Sequence, residues 1–423
     1  MNVEQISGVP ARAAALALLQ AVLWRGEPLD RSIDRAFRKL DAPADRGLAR
    51  AIVSGVLRHL PDLDALIDGA TKKPLPDDAR ARMVLRMALV QTILLETPPH
   101  AVIATALPLL EGGPRRLAHG VLSTLLKQGA ALPSPPGLPD LWTVRWGASW
   151  GEDVVAAAAV GLGAEPPLDL TLRDAGETAM WAEALGGTSL IPGHVRLARH
   201  GRIEELPGFE EGAWWVQDLA ASLPARLLDA KAGEAIADLC AAPGGKTLQL
   251  AAAGAQVTAL DISENRIARV RENMERTGLA AEVVAGDALK WKPAAPLDAV
   301  LLDAPCSGTG IFRRHPDVLH LKSARQIGEL VRMQAALMDH AFDMLKPGGR
   351  MLYCVCSLER DEGESQVAAF LSRTPWARSL PVDVESLPAG ISPNSEGFVR
   401  TLPGQLAADG GLDGFFMARI ARV

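Results

Sequence analysis

Two cysteines one residue apart, Cys354 and Cys356 in the stretch YCVCS (353–357), are the first candidates for chemistry, and the same stretch holds the chain's only tyrosine. The remaining cysteines, Cys240 and Cys306, lie in DLCAAPGGKT (238–247) and DAPCSGTG (303–310). A C-x-C pair can clip a metal, cycle as a redox pair, or supply a nucleophile beside a bystander. A structural metal wants four ligands at matched spacing. No histidine cluster accompanies the pair, since His315 and His320 fall in a different loop, so no metal is expected. Four cysteines in 423 residues do not make a disulfide framework either. A nucleophile must be a thiolate, and a free thiol titrates at roughly 8.5, so a helix starting near Asp361 would help Cys356. The bland alternative is that free cysteines are among the most buried residue types. Cys306 and Cys356 end adjacent predicted strands and are expected to face one cleft. Cys354 is expected to turn into the sheet as packing, and Cys240 to pack beside the glycine turn that follows it.

The elements that must position these residues are strands alternating with helices. EAIADLC, AQVTALD, AEVVAGD, LDAVLLDAP and RMLYCVCS are short apolar strands, separated by KTLQLAAA, SENRIARVRENMERTG and SARQIGELVRMQAALMDHAFDMLKPGG at helical period. Ser263 reads as an N-cap and Gly278 as the residue that ends the helix. Such alternation predicts a parallel sheet with helices on both faces, and ligands bind such sheets at the carboxyl ends of the strands. The first strand ends in Cys240-Ala241-Ala242-Pro243-Gly244-Gly245-Lys246, a tight turn where backbone can approach a ligand, without the spacing of a phosphate-cradling P-loop. Acids end the next strands: Asp261, Asp287 and Asp303. Any one of them could be a helix cap. The ordered set implies an adenosine-containing cofactor, and the lack of a separate pyrophosphate cradle favours S-adenosylmethionine over NAD.

The rest of the chain reads differently. Residues 7–129 follow helical period almost without interruption, and ALPSPPGLPD (131–140), with four prolines, reads as a linker. LDLTLRD and HVRLARHG alternate like strands around the helix TAMWAEALGG, which predicts a small α/β module. The expected organisation is an all-α domain at 1–130, a small α/β domain at 141–230 and a Rossmann-like α/β domain at 231–423. The net charge of −6 is uneven: residues 1–130 carry 17 Lys and Arg against 13 Asp and Glu, and the remainder 27 against 37. The surplus of +4 in the first part is equally compatible with a solvated helical surface. No eighteen-residue apolar run exists and the N-terminus lacks the pattern of a signal peptide, so a cytoplasmic protein with no membrane partner is expected.

DLCAAPGGKT, DAPCSGTG and YCVCS, in this order, resemble the RNA cytosine-C5 methyltransferases of the Fmu/Sun type, and RRHPDV (313–318) and GFFMARI (414–420) match two further motifs of that family. The resemblance covers roughly residues 140–423, and the helical first domain looks like the NusB-type RNA-binding fold. It implies methyl transfer from S-adenosylmethionine to carbon 5 of a cytosine in RNA, here 16S rRNA of the small subunit, with no DNA substrate and a monomeric enzyme. It gives Cys356 the attack on carbon 6, Cys306 a part in releasing the product, and Asp303 the N3/N4 edge of the base. Residues 240–246, Asp261, Asp287 and Asp303 would hold the cofactor. Lys246 is a candidate for contacting the target nucleotide, with a solvated helix-start lysine as the alternative. The base must leave its stack to reach such a pocket, and the first domain with Arg313 and Arg314 would form a basic stripe for RNA. The chain departs from the family in one motif: Val355 replaces the usual threonine and Cys354 the common alanine, while Ser357 still follows Cys356. A non-catalytic NusB-like RNA-binding or assembly factor, or a DNA methyltransferase, are the competing readings.

Overall fold

The computed structural model describes residues 7–423, and the chain divides into two compact units. The first comprises residues up to Ala164 together with Arg314–Lys322. It is helical throughout, and its helix Arg80–Ile93 is buried on every side from Ala81 to Gln91, as befits the centre of a bundle. Val84, Leu85 and Leu89 of that helix pack with Leu18 and Leu19 of Val9–Leu23 and with Ile52 and Val56 of Pro43–Arg58. Arg82 and Arg86 are buried in this unit, and both reach Asp64: Arg86 bidentately at 2.7 and 2.8 Å, Arg82 at 2.9 Å. These two cations are therefore spent on the interior.

The proline-rich segment 131–140 does not end this unit. Gly137 N donates to Asp62 Oδ2 at 3.0 Å, Leu138 is buried, and the chain continues into helices Asp140–Trp150 and Glu152–Gly163. Trp142 and Trp146 of the former are fully buried, and Trp142 Nε1 donates to Leu319 O at 2.7 Å. The RRHPDV motif is thus split. From Arg314 onward it folds with the helices, where Asp317 Oδ2 accepts from Leu29 N at 3.0 Å.

The second unit, residues 165–313 and 323–423, contains two sheets. Strands β1 (Leu168–Leu172), β2 (His194–Leu197) and β3 (Trp214–Val216) form a small antiparallel sheet in the order β2-β1-β3. It is pinned by buried Asp169, which takes Arg196 bidentately at 2.6 and 2.7 Å and Leu219 N at 3.0 Å. The large sheet holds β4 (Ala235–Leu239), β5 (Gln256–Asp261), β6 (Glu282–Ala285), β7 (Leu297–Asp303), β8 (Leu345–Val355), β9 (Ala377–Ser379), β10 (Val399–Thr401) and β11 (Phe415–Arg422). Its order is β10-β11-β8-β7-β4-β5-β6, with β9 also on β11; the pairs from β8 to β6 are parallel, and β11 runs antiparallel to β8. The central strands β4 and β7 are almost wholly buried, because the sheet is covered on both faces.

Candidate active site

Parallel pairing of β7 with β8 sets Asp303 opposite Cys354, and Ala304 N donates to Cys354 O at 3.0 Å. The chain then leaves both strands in the same direction, which carries Cys306 and Cys356 side by side. Their sulphurs are 3.4 Å apart. Gly310 N closes the two loops by donating to Cys356 O at 3.0 Å. No Cβ fits at Gly310, since it would lie 1.8 Å from Gly414 O, so the DAPCSGTG turn needs glycine where β11 begins.

Lys246 begins the helix Gly245–Ala252 after β4, and its ammonium lies 2.7 Å from Asp303 Oδ2 and 5.5 Å from the centroid of Phe415. Burial works to lower the Lys246 pKa, but the groups around it, Asp303 foremost, together outweigh it and the net shift is upward, so the ammonium stays charged. Cys354 Sγ donates to the other oxygen, Asp303 Oδ1, at 3.6 Å. Burial and then Asp303 push the Cys354 thiol well above its usual range. For Cys306 the causes are its hydrogen bond with Cys356 and then burial, with Glu362 and Asp303 adding to them, and this thiol too is held well above the ordinary range. Cys306 therefore keeps its proton near neutral pH, within hydrogen-bonding distance of Cys356 Sγ.

Two expectations need correction. Cys354 does not turn to the opposite side from Cys356. Residues two apart on a strand share a face, and both pack against the same apolar cluster, while Tyr353 and Val355 face another. Val355 is fully buried in that second cluster, so the hydroxyl of a threonine would have no exposure to water there. Nor does Arg313 extend a basic stripe: it is 7% exposed, donates to Gly410 O and lies 3.9 Å from Asp413. The helix expected near Asp361 is present: a 3-10 turn at Arg360–Glu362 leads into the α-helix that begins at Glu364. Sequence reasoning also passed over Glu362, a fully buried acid whose carboxylate meets both cysteine loops.

The cofactor candidates line the ends of β4, β5 and β6. Cys240 adopts φ 63°, Gly244 φ 105°, and a Cβ on Gly245 would come within 3.1 Å of Gln217. Burial, followed by Asp303, Asp261 and Asp238, pushes the Cys240 thiol up to about 12, which keeps it a neutral packing group. Asp261 is 2% exposed. It accepts from Ser263 N at 3.0 Å and Ala242 N at 3.3 Å and pairs with Arg266 at 3.3 Å. A carboxylate has about four lone-pair positions, so one remains for a ribose hydroxyl. Asp287 ends β6 apart from the cysteines, accepting Leu289 N at 3.0 Å with exposed Lys290 beside it. Beneath the turn, Asp238 is fully buried; Thr247 donates to its Oδ2 at 2.6 Å and its Oδ1 has no partner. A turn bare of side chains over the first strand, with carboxylates at successive strand ends, fits S-adenosylmethionine. Among the described residues no three His, Cys, Asp or Glu side chains are grouped to hold a metal.

Residues 225–421 match the family described as 16S rRNA methyltransferase RsmB/F, and residues 9–113 match the NusB family. The Ribosomal RNA small subunit methyltransferase B of Klebsiella pneumoniae is 34% identical over 97% of this chain and 98% of its own length, and that of Pseudomonas putida 36% over the same shares. The chain belongs to the 16S rRNA methyltransferase RsmB/F family. It is a 16S rRNA methyltransferase with a NusB domain, and its cofactor is S-adenosylmethionine; the reading as a non-catalytic factor falls away. Among solved structures, PH0851 matches with a TM-score of 0.75 at 23% identity over 97% of this chain and 98% of that one. NSun6 from Pyrococcus horikoshii, solved with SFG, matches with a TM-score of 0.59 at 20% identity over 68% of this chain and 98% of that one. At those identities the likeness establishes the methyltransferase fold. No helix among the described residues is long and apolar enough to cross a membrane.

Proposed function

We propose that this methyltransferase modifies carbon 5 of a cytosine in 16S rRNA through a covalent adduct between Cys356 and carbon 6. The observation that carries the reading is the pair of sulphurs, 3.4 Å apart, beside a carboxylate–ammonium pair at the ends of adjacent strands. Carbon 5 of cytosine is a poor nucleophile. Addition of the Cys356 thiolate to carbon 6 makes the ring enamine-like and raises electron density at carbon 5, so one hard step becomes two easier ones. Asp303 accepts from the N4 amino group of the base while the ring takes up negative charge from the thiolate, and Lys246 holds that carboxylate in place. S-adenosylmethionine supplies an electrophilic methyl group. After transfer, the carbon-5 proton leaves to solvent, the bond from carbon 6 to Cys356 breaks, and the Cys306 thiol stabilises the departing thiolate by hydrogen bonding.

Residues 240–246, Asp261, Asp287 and Asp303 hold the cofactor in this reading, the helical unit adds affinity for RNA, and the enzyme works in the cytoplasm as a monomer on RNA rather than DNA. The test is methylation of 16S rRNA by the purified enzyme, followed by mass spectrometry of the nucleosides. The expected product is 5-methylcytidine, with release of tritium from RNA labelled at cytosine carbon 5. Methyl groups at any other atom, or transfer to DNA but not RNA, would overturn the proposal.

A further inference from the structure

Glu362 has no exposure to solvent, and the hydrogen-bond partners of its carboxylate all donate to it. Oε1 accepts from Ser307 N at 2.9 Å and Gln334 Nε2 at 3.0 Å. Oε2 accepts from Ser307 Oγ and Ser357 Oγ, each at 2.5 Å. Ser307 directly follows Cys306, and Ser357 directly follows Cys356. One carboxylate thus grips both cysteine loops at the residue after each sulphur. The surroundings hold Glu362 in turn: Tyr353 OH donates to its carbonyl at 2.6 Å, and Gln334 Nε2 also reaches Pro305 O at 2.9 Å. The hydroxyls are cross-linked as well, with Thr309 Oγ1 3.2 Å from Ser307 Oγ and 3.4 Å from Ser357 Oγ.

Burying a carboxylate carries a desolvation cost, so stability alone does not account for an acid here. What the acid adds is geometric. An apolar side chain cannot orient two hydroxyls and an amide at once. We infer that Glu362 is a positioning residue that locks Cys306 against Cys356, so that its loss impairs release of the methylated base more than addition to it. This rests on the covalent reading given above. Addition needs only Cys356 and the base. Release needs both sulphurs side by side, and that relation depends on the clamp.

The substitution is Glu362→Gln in the full chain. Glutamine keeps an acceptor for Ser307 N and Gln334 and offers its amide to two hydroxyls that can accept, so the fold is retained while the clamp loses its charge and its two hydroxyl bonds reverse direction. The expected result is a fall in kcat of about ten- to a hundredfold, the scale set by small displacements of reacting groups. KM for rRNA and the S-adenosylmethionine Kd stay within about twofold, and a denaturation-resistant protein–RNA band accumulates as in Cys306→Ala. Wild-type kcat without the band overturns the inference. So does a parallel loss of kcat, cofactor affinity and melting temperature, which marks a merely structural role. If Glu362→Gln does not fold, the Ser307→Ala/Ser357→Ala double variant carries the same test. Absence of the band in Cys306→Ala, with a wild-type product other than 5-methylcytidine, sinks the covalent reading itself. A band in Cys306→Ala but in neither clamp variant sinks only the role of Glu362.

Discussion

Cys306 Sγ lies 3.4 Å from Cys356 Sγ although the two residues lie in the loops that follow different strands, β7 and β8. Only one of them can be the nucleophile, and alanine variants separate the roles. Cys356→Ala is expected to abolish methyl transfer and to form no covalent complex. Cys306→Ala is expected to add to the base and release it slowly, giving a labelled band on a denaturing gel. A trapped band with Cys356→Ala instead would reverse the two assignments.

Lys246 and Asp303 form the second pair, and burial of the lysine makes their contact sensitive to charge rather than shape. Lys246→Met retains the aliphatic stem beside Phe415 and removes the ammonium. We expect kcat at saturating cofactor to fall about a hundredfold, as when one preorganised electrostatic group is removed, a larger effect than any weakening of the cofactor Kd. An unaltered kcat would make Lys246 a bystander.

Much of this site was legible from sequence because parallel strands covered on both faces read as unbroken apolar runs, and EAIADLC, AQVTALD and LDAVLLDAP are β4, β5 and β7. Strands β9 and β10 are three residues each, too short for any periodicity to register. The prolines at 131–140 mimic a linker, but what fixes that segment is the bond from Gly137 to Asp62, a contact that spacing along the chain does not reveal. Glu362 was invisible for a similar reason. An acid in a turn after a strand reads as a solvated charge until the donors around it are known. The shared face of Cys354 and Cys356 was a different case, because period two already dictates it.

Asp261 has three of its own chain's donors around it. Asp261→Ala is therefore expected to weaken S-adenosylmethionine binding by about tenfold or more and also to lower the melting temperature by a few degrees, since buried donors are left unpaired at roughly 1–3 kcal/mol. Calorimetric titration and a thermal melt read the two effects separately. An unchanged Kd would remove the ribose assignment.

The helical unit offers Arg115 and Arg116 as adjacent exposed cations in the first turn of Gly112–Lys127. Replacing both with alanine in the full chain is expected to weaken rRNA binding and to reduce the slope of log K against log salt by about 0.7–0.9 for each phosphate no longer neutralised. An identical slope would mean that this part of the unit does not touch RNA.

Asp238 supplies a pH dependence whose sign follows from its burial. Burial raises its carboxyl to about 7 against the hydrogen bond from Thr247 and the charge of Lys246, and Asp303 and Asp261 push the same way as burial. An unfolded aspartate titrates near 3.9. Between those values the native state holds a proton that the unfolded state has lost, so stability falls as pH rises from about 4 to about 7 and stays low above that. Asp238→Asn removes the titration while its amide can still accept from Thr247 and fill the unpartnered Oδ1 position. The unfolding free energy of the variant relative to wild type should therefore grow in the variant's favour between pH 5 and pH 8, by roughly 3 kcal/mol for about two pH units at about 1.4 kcal/mol per unit. Urea denaturation at the two pH values measures it. A difference that is the same at both, or that grows in favour of the wild type, would show that Asp238 is ionised in the folded protein.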